Sequence, residues 1–141
     1  MSEIYQFAVN HWVLSMAWII VAILLLNAQI RHLSHGPQSV TSQMLTNLVN
    51  RENAVVIDIR GQADFNKGHI HGAINVPLSQ IKNGTKDLEK HFDKPIIMVC
   101  NNGIQVNGGC EILRKSGAEK LYKLVGGMSS WTGENLPVVK S

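Results

Sequence analysis

Apolar residues are distributed unevenly along this chain. Residues 12–29 read WVLSMAWIIVAILLLNAQ, and no charged side chain interrupts them. As a helix, these 18 residues reach about 27 Å, close to the hydrocarbon thickness of a bilayer. Ser15 and Asn27 are the only distinctly polar residues before Gln29, and each is near an end, where water or head groups satisfy it. Trp12 falls where an interfacial aromatic belt would place it. Residues 34–39, SHGPQS, are rich in breakers and read as a linker.

Beyond the linker, short apolar runs alternate with helical periodicities. Thr41 or Ser42 can cap a helix whose apolar positions are Met44, Leu45, Leu48 and Val49. Residues 54–57 form a continuous apolar run ending at Asp58, the pattern of a strand covered on both faces. Residues 73–76 are a shorter strand candidate, stopped by Pro77. Residues 78–81 predict a helical turn and residues 87–92 a further short helix. Residues 95–99 predict another buried strand, which Cys100 ends. A helix opens at Ile104 or Gln105, runs to Ser116 and is closed by Gly117. Residues 121–125 predict the last strand, and Gly126-Gly127 turns the chain into a short helix carrying Trp131. This alternation predicts an α/β domain with a mainly parallel sheet flanked by helices on both faces. Such sheets bind ligands beyond the carboxyl ends of their strands, where Asp58 and Cys100 both fall. The expected organisation is a short extracytoplasmic N-terminus at 1–11, a transmembrane helix at 12–30, a linker at 31–39 and the domain at 40–141.

Charge orients the span. A cleaved signal peptide wants a positive segment before its apolar stretch, but residues 1–11 hold no Lys or Arg and carry Glu3. Leu26-Asn27-Ala28 is also a poor cleavage site, so an uncleaved anchor is expected. All 13 Lys and Arg residues follow the apolar stretch, beginning with Arg31. The positive-inside rule then places the N-terminus outside and the domain in the cytoplasm. The net charge of +3 and pI near 9.0 suit proximity to anionic lipid. No basic run with interleaved aromatics is present, so no nucleic-acid partner is expected. Cys100 and Cys110 make no disulfide framework, and both are expected reduced, as in a cytosolic compartment. His32 and His35, at i and i+3, read better as an interfacial polar rim than as a metal pair.

Candidate chemistry concentrates in Cys100-Asn101-Asn102-Gly103-Ile104-Gln105. A thiol directly after a strand and before a helix meets backbone N–H groups and the helix's positive end. That setting favours the thiolate, the nucleophilic form, and would cradle the terminal sulfur of a persulfide. A cysteine here also suits plain packing, since free cysteine is commonly buried and inert. Cys110, inside the helix pattern, reads as a packing residue, although it could resolve a persulfide if it faced the loop.

The ordered motifs resemble those of the rhodanese family over about residues 40–139. The family's first strand ends Asp-x-Arg, and here Asp58-Ile59-Arg60 stands. An acidic residue and an aromatic follow as Asp64-Phe65, then Gly68-His69-Ile70-His71-Gly72-Ala73-Ile74-Asn75. Cys100-Asn101-Asn102-Gly103 matches the family's Cys-x-x-Gly loop. Gly126-Gly127-Met128-Ser129-Ser130-Trp131 and Leu136-Pro137 match its closing signature. With the apolar span, the chain looks like bacterial inner-membrane rhodanese-like proteins. The resemblance implies persulfide formation on Cys100, with residues 101–105 facing the sulfur and no cofactor or metal. It implies that Asp58 and Arg60 steady loops near the pocket. Gly68, His69 and Gly72 match a turn that shapes the domain, and His69 with His71 lacks a third ligand spaced for a metal.

One departure bears on substrate. The family loop usually continues Gly-x-Arg and a small residue, but Gln105 and Val106 stand here. Losing a charge-assisted contact weakens anion binding by about 1.5–3 kcal/mol. Thiosulfate is therefore an expected poor donor, and a protein persulfide with its own docking surface a better one. Phosphatase or arsenate-reductase chemistry needs Arg where Val106 stands and is set aside. Enzyme or carrier stands against a drifted adaptor that binds another membrane or cytoplasmic protein.

Overall fold

The computed structural model describes residues 1–33 and 36–141, so the His32–His35 pair lies outside the described residues. The chain divides into two compact units, Met1–His35 and Gly36–Ser141. The first holds α1 (Ser2–Asn10) and α2 (Trp12–Leu33). The stretch Trp12–Arg31 is long and apolar enough to cross a membrane. Two features differ from expectation. The N-terminal residues form a helix of their own, and α2 runs past residue 30 into the expected linker.

The second unit opens with β1 (Gln38–Val40), which the breaker-rich composition of residues 34–39 concealed. Three residues are too few to show a period, so only pairing reveals this strand. The folded domain therefore begins before residue 40. It continues α3 (Ser42–Glu52), β2 (Val55–Asp58), α4 (Gln62–Lys67), β3 (Ile74–Asn75), α5 (Leu78–Asn83), a 3₁₀ turn (Lys86–His91), β4 (Ile96–Val99), α6 (Val106–Lys115), β5 (Leu121–Leu124) and α7 (Gly127–Gly133). Local chemistry sets several boundaries. Thr41 caps α3 by accepting the Met44 N–H at 3.3 Å. Asn53, at φ 54°, ends it in the left-handed conformation. Met44, expected on the apolar face, is half exposed, while Leu45 is buried.

Five strands pair in the order β1-β5-β4-β2-β3, every pair parallel. All four residues of β4, the central strand, are buried. Period-two alternation divides them: Ile96 and Met98 pack with Val106, Cys110 and Leu113 of α6, while Ile97 and Val99 pack with Leu45 of α3 and Trp131 of α7. Each buried side chain of this kind contributes about 1.5–3 kcal/mol, so β4 alone accounts for an amount comparable to a domain's net stability of about 5–15 kcal/mol. Whatever is mounted on the end of β4 is held by the most firmly buried strand. The register aligns Asp58 with Val99, so Asp58 and Cys100 emerge at one carboxyl edge.

Candidate functional site

Two knots surround the carboxyl ends of β2 and β4. The first joins Asp58 to Arg60. The arginine donates from Nε to both carboxylate oxygens at 3.0 Å and from Nη2 to Oδ2 at 2.7 Å. Nη2 also donates to the Gly68 carbonyl at 2.7 Å. Asn75 Nδ2 donates to the carbonyls of Asp58 at 3.1 Å and Arg60 at 2.9 Å. One ion pair thus gathers the end of β2, the turn at Gly68 and β3. The pair is nearly dry, with side-chain exposures of 8% for Arg60 and 1% for Asp58. His69 belongs to the same turn. Its Nδ1 is 2.8 Å from the Phe65 carbonyl, and its ring stacks on Phe65 at 3.7 Å. Its backbone exchanges two 2.9 Å hydrogen bonds with Val139, drawing in the C-terminus. His69 is thereby a packing and hydrogen-bonding residue, and His71 is exposed.

The second knot holds the loop after β4. Cys100 is 1% exposed, beneath a loop whose Asn101, Asn102, Ile104 and Gln105 face solvent. The Gly103 N–H donates to Cys100 Sγ at 3.0 Å. Gly103 reaches this position with φ +82°, a conformation that costs an ordinary residue. The Asn102 side chain turns back on its own loop: Oδ1 accepts the Ile104 N–H at 3.1 Å and lies 3.8 Å from Cys100 Sγ. The Ile104 amide, expected among the groups facing the sulfur, is therefore spent on Asn102. Gln105 is the last residue before α6, and its side chain makes no capping bond. Val106 is fully buried among the core residues, so its departure from the family pattern serves packing as well as removing a hydroxyl.

α7 supports this loop from behind. The Cys100 carbonyl accepts the Met128 N–H at 2.8 Å, and the Asn101 carbonyl accepts the Ser129 N–H at 3.0 Å. Two free amides at a helix start thus fix the backbone of the cysteine itself. Gly127 makes the approach feasible, because a Cβ there would run into the Cys100 carbonyl. From sequence Gly126-Gly127 reads only as a turn, and the support it gives the loop emerges in the fold. The signal was present in the pair of glycines preceding a helix. An open cleft of about 290 Å³ lies beside Asn101, lined by Arg60, Asp64, Lys67, Ser129 and Thr132 among others. Lys67 and Asp64 approach to 3.8 Å across its rim, an exposed pair of little energetic weight.

Cys110 has a different setting. It is 1% exposed on α6, with Sγ 3.2 Å from Met98 Sδ. Burial pushes its thiol up to about 12, against a weaker opposing pull from Lys123 and Arg114.

These elements recur in known proteins. The model of the rhodanese-like domain matches residues 41–134. The chain belongs to the rhodanese-like family. Among rhodanese-like relatives, the uncharacterized protein YibN of Escherichia coli K12 is 42% identical over 141 residues, covering 99% of both chains. Thiosulfate sulfurtransferase GlpE of Pseudoalteromonas translucida is 34% identical over 84 residues, covering 60% of this chain and 78% of its own. A crystal structure of a rhodanese-related protein from Thermoplasma volcanium superposes with a TM-score of 0.66 at 28% identity, covering 74% of this chain and 99% of that one. The rhodanese-like fold, a parallel sheet flanked by helices, is thus shared beyond sequence motifs.

Proposed function

We propose that this protein is a membrane-anchored sulfurtransferase or sulfane-sulfur carrier working through a persulfide on Cys100. The observation that carries the reading is the Gly103 N–H aimed at Cys100 Sγ at 3.0 Å, at the end of the central strand. A donor amide so placed stabilises sulfur that bears negative charge. Asn101, Asn102, Ile104 and Gln105 complete the loop over it, and Asp58 with Arg60 steadies the adjoining edge.

The reaction has two displacements. The Cys100 thiolate attacks the outer sulfur of a donor. The donor's S–S bond breaks, and the leaving group takes the electron pair, as a thiolate from a persulfide or as sulfite from thiosulfate. An acceptor thiolate then attacks the terminal sulfur, and Cys100 leaves as thiolate. This exchange needs no external oxidant. The segment 100–110 carries no charged residue, so nothing in it clamps a small dianion. A protein persulfide or a polysulfide is the preferred donor class, and thiosulfate a poor one. In this reading residues 12–30 lie in a bacterial inner membrane and the domain faces the cytoplasm. The same uncharged loop supports a second reading, an inactive adaptor for another membrane or cytoplasmic protein.

Intact mass decides between them. The full chain in detergent is reduced, then exposed separately to thiosulfate and to polysulfide. A gain of one sulfur from polysulfide, absent in Cys100→Ser, is the expected result. No gain from either donor, with the protein folded and its thiols reduced, would leave the adaptor.

A further inference from the structure

The nine residues of α1 carry a pattern that the sulfur chemistry does not use. At 100° per residue, Ser2, Gln6, Asn10 and Glu3 fall within an arc of about 100°. Ile4, Tyr5, Phe7 and Val9 occupy the rest of the circumference. Those four apolar side chains are 77%, 73%, 66% and 55% exposed, so the described residues leave most of this face uncovered, the His11 ring lying 4.8 Å from that of Phe7. A contiguous apolar face of this kind demands a cover.

Geometry restricts what the cover is. Trp12–Arg31 comprises 20 residues and, at 1.5 Å each, reaches about 30 Å, which fills the hydrocarbon layer by itself. α1 cannot share that layer as a straight extension. His11, at φ −120° and ψ 40°, interrupts the helical dihedrals immediately before Trp12, at the level where the span would meet the head groups. From that break, α1 either projects its apolar face into water or lies along the boundary. The apolar face carries Tyr5, a side chain suited to that boundary, and Trp12 follows at the start of the span. Glu3 is the only charged side chain in α1.

We propose that α1 is an interfacial helix, lying in the surface of the same bilayer that α2 crosses, with Ile4, Tyr5, Phe7 and Val9 turned into the acyl boundary and Gln6 and Asn10 toward water. The partner is the lipid surface, and the proposal rests on the anchorage of residues 12–30 stated above. Such a helix fixes the depth of the span and resists its sliding through the layer.

Spin-label depth measurement on the full chain tests this. The background is Cys100→Ser; Cys110, 1% exposed, is left in place, and intact mass of this background after labelling checks that it takes no label. Single labels at Ile4→Cys, Gln6→Cys, Val9→Cys and Asn10→Cys are read in nanodiscs of phosphatidylethanolamine and phosphatidylglycerol, with Ile20→Cys as the control. Oxygen accessibility should exceed that of a water-soluble nickel chelate several-fold at positions 4, 9 and 20, and the order should reverse at 6 and 10. High chelate access at 4 and 9, with 20 protected, would place α1 in water and overturn the interfacial helix while leaving the span intact. Exclusion of both reagents at 4 and 9 would overturn it in favour of a protein contact, a second copy included. Chelate access at position 20 would overturn the anchorage itself, and the interfacial helix with it.

Discussion

Cys100 and Cys110 are ten residues apart, equally buried, and packed in one core cluster. Their surroundings nevertheless differ in the one respect that matters for sulfur chemistry. Cys100 ends a strand, and a backbone N–H from a left-handed glycine meets its sulfur. Cys110 lies within a helix, past its first turn of free amides, and its sulfur meets the thioether of Met98. Burial disfavours a thiolate, and at Cys110 it outweighs the opposing pull of Lys123 and Arg114. Depth in the protein therefore does not distinguish the two thiols. The direction of the nearest polar groups does.

The largest expected effect sharpens this contrast directly. Cys100→Ser should abolish sulfur uptake from polysulfide, and Cys110→Ser should retain it, as read by intact mass; sulfur found on Cys110 would break the comparison. Next, Arg60→Ala leaves Asp58 buried without its partner. It should cost about 3–5 kcal/mol in urea unfolding, since uncompensated buried charge is expensive. If the loss were under about 1 kcal/mol, the knot would not be what holds the β2 edge beside Cys100. Gly103→Ala forces a Cβ into a φ of +82°, 3.2 Å from the Leu124 carbonyl. The strain should cost about 1–3 kcal/mol and turn the amide off the sulfur. Cys100 alkylation kinetics should then change, with Cys110 still unreactive in the folded protein.

The smallest effect concerns pH. Folding raises the Cys110 thiol from 9.0 to about 12, so its contribution to stability is fully present below pH 9. Above that, the unfolded chain loses the proton while the folded one keeps it, and stability falls as pH rises toward 12. Wild type should lose about 1 kcal/mol more than Cys110→Ala between pH 9 and 10, measured by denaturant titration. Equal slopes would show that Cys110 is not sealed from solvent.

The main strands and α6 were legible as apolar runs and helical periods. The strand at 38–40 was not, because a three-residue edge strand is specified by its pairing with β5 rather than by its own pattern. α4 was missed for a similar reason. Its six residues, QADFNK, are too few for a period, and none is fully buried. α1 escaped because its apolar face stays largely exposed among the described residues, so only the helical wheel reveals it. At the site, the identity of Cys100 and the order of the motifs were plain in the residues. The expectation that residues 101–105 all present their amides to the sulfur was too generous. The Ile104 amide goes to Asn102, a choice between a side-chain oxygen and a sulfur that only the folded loop makes.

By itself the sequence determined the alternation that makes a parallel sheet, the apolar span, and a thiol at a strand's end, because hydrophobic periodicity and residue chemistry are local properties. Tertiary structure decided which amide reaches that thiol, that α7 braces the loop through Met128 and Ser129, and that Asp58 and Arg60 tie three segments together. Some of these partners are close in the chain, as Gly103 and Cys100 are, and some distant, as Met128 and Cys100 are, but their directions follow from strand register and helix packing, which no local pattern encodes.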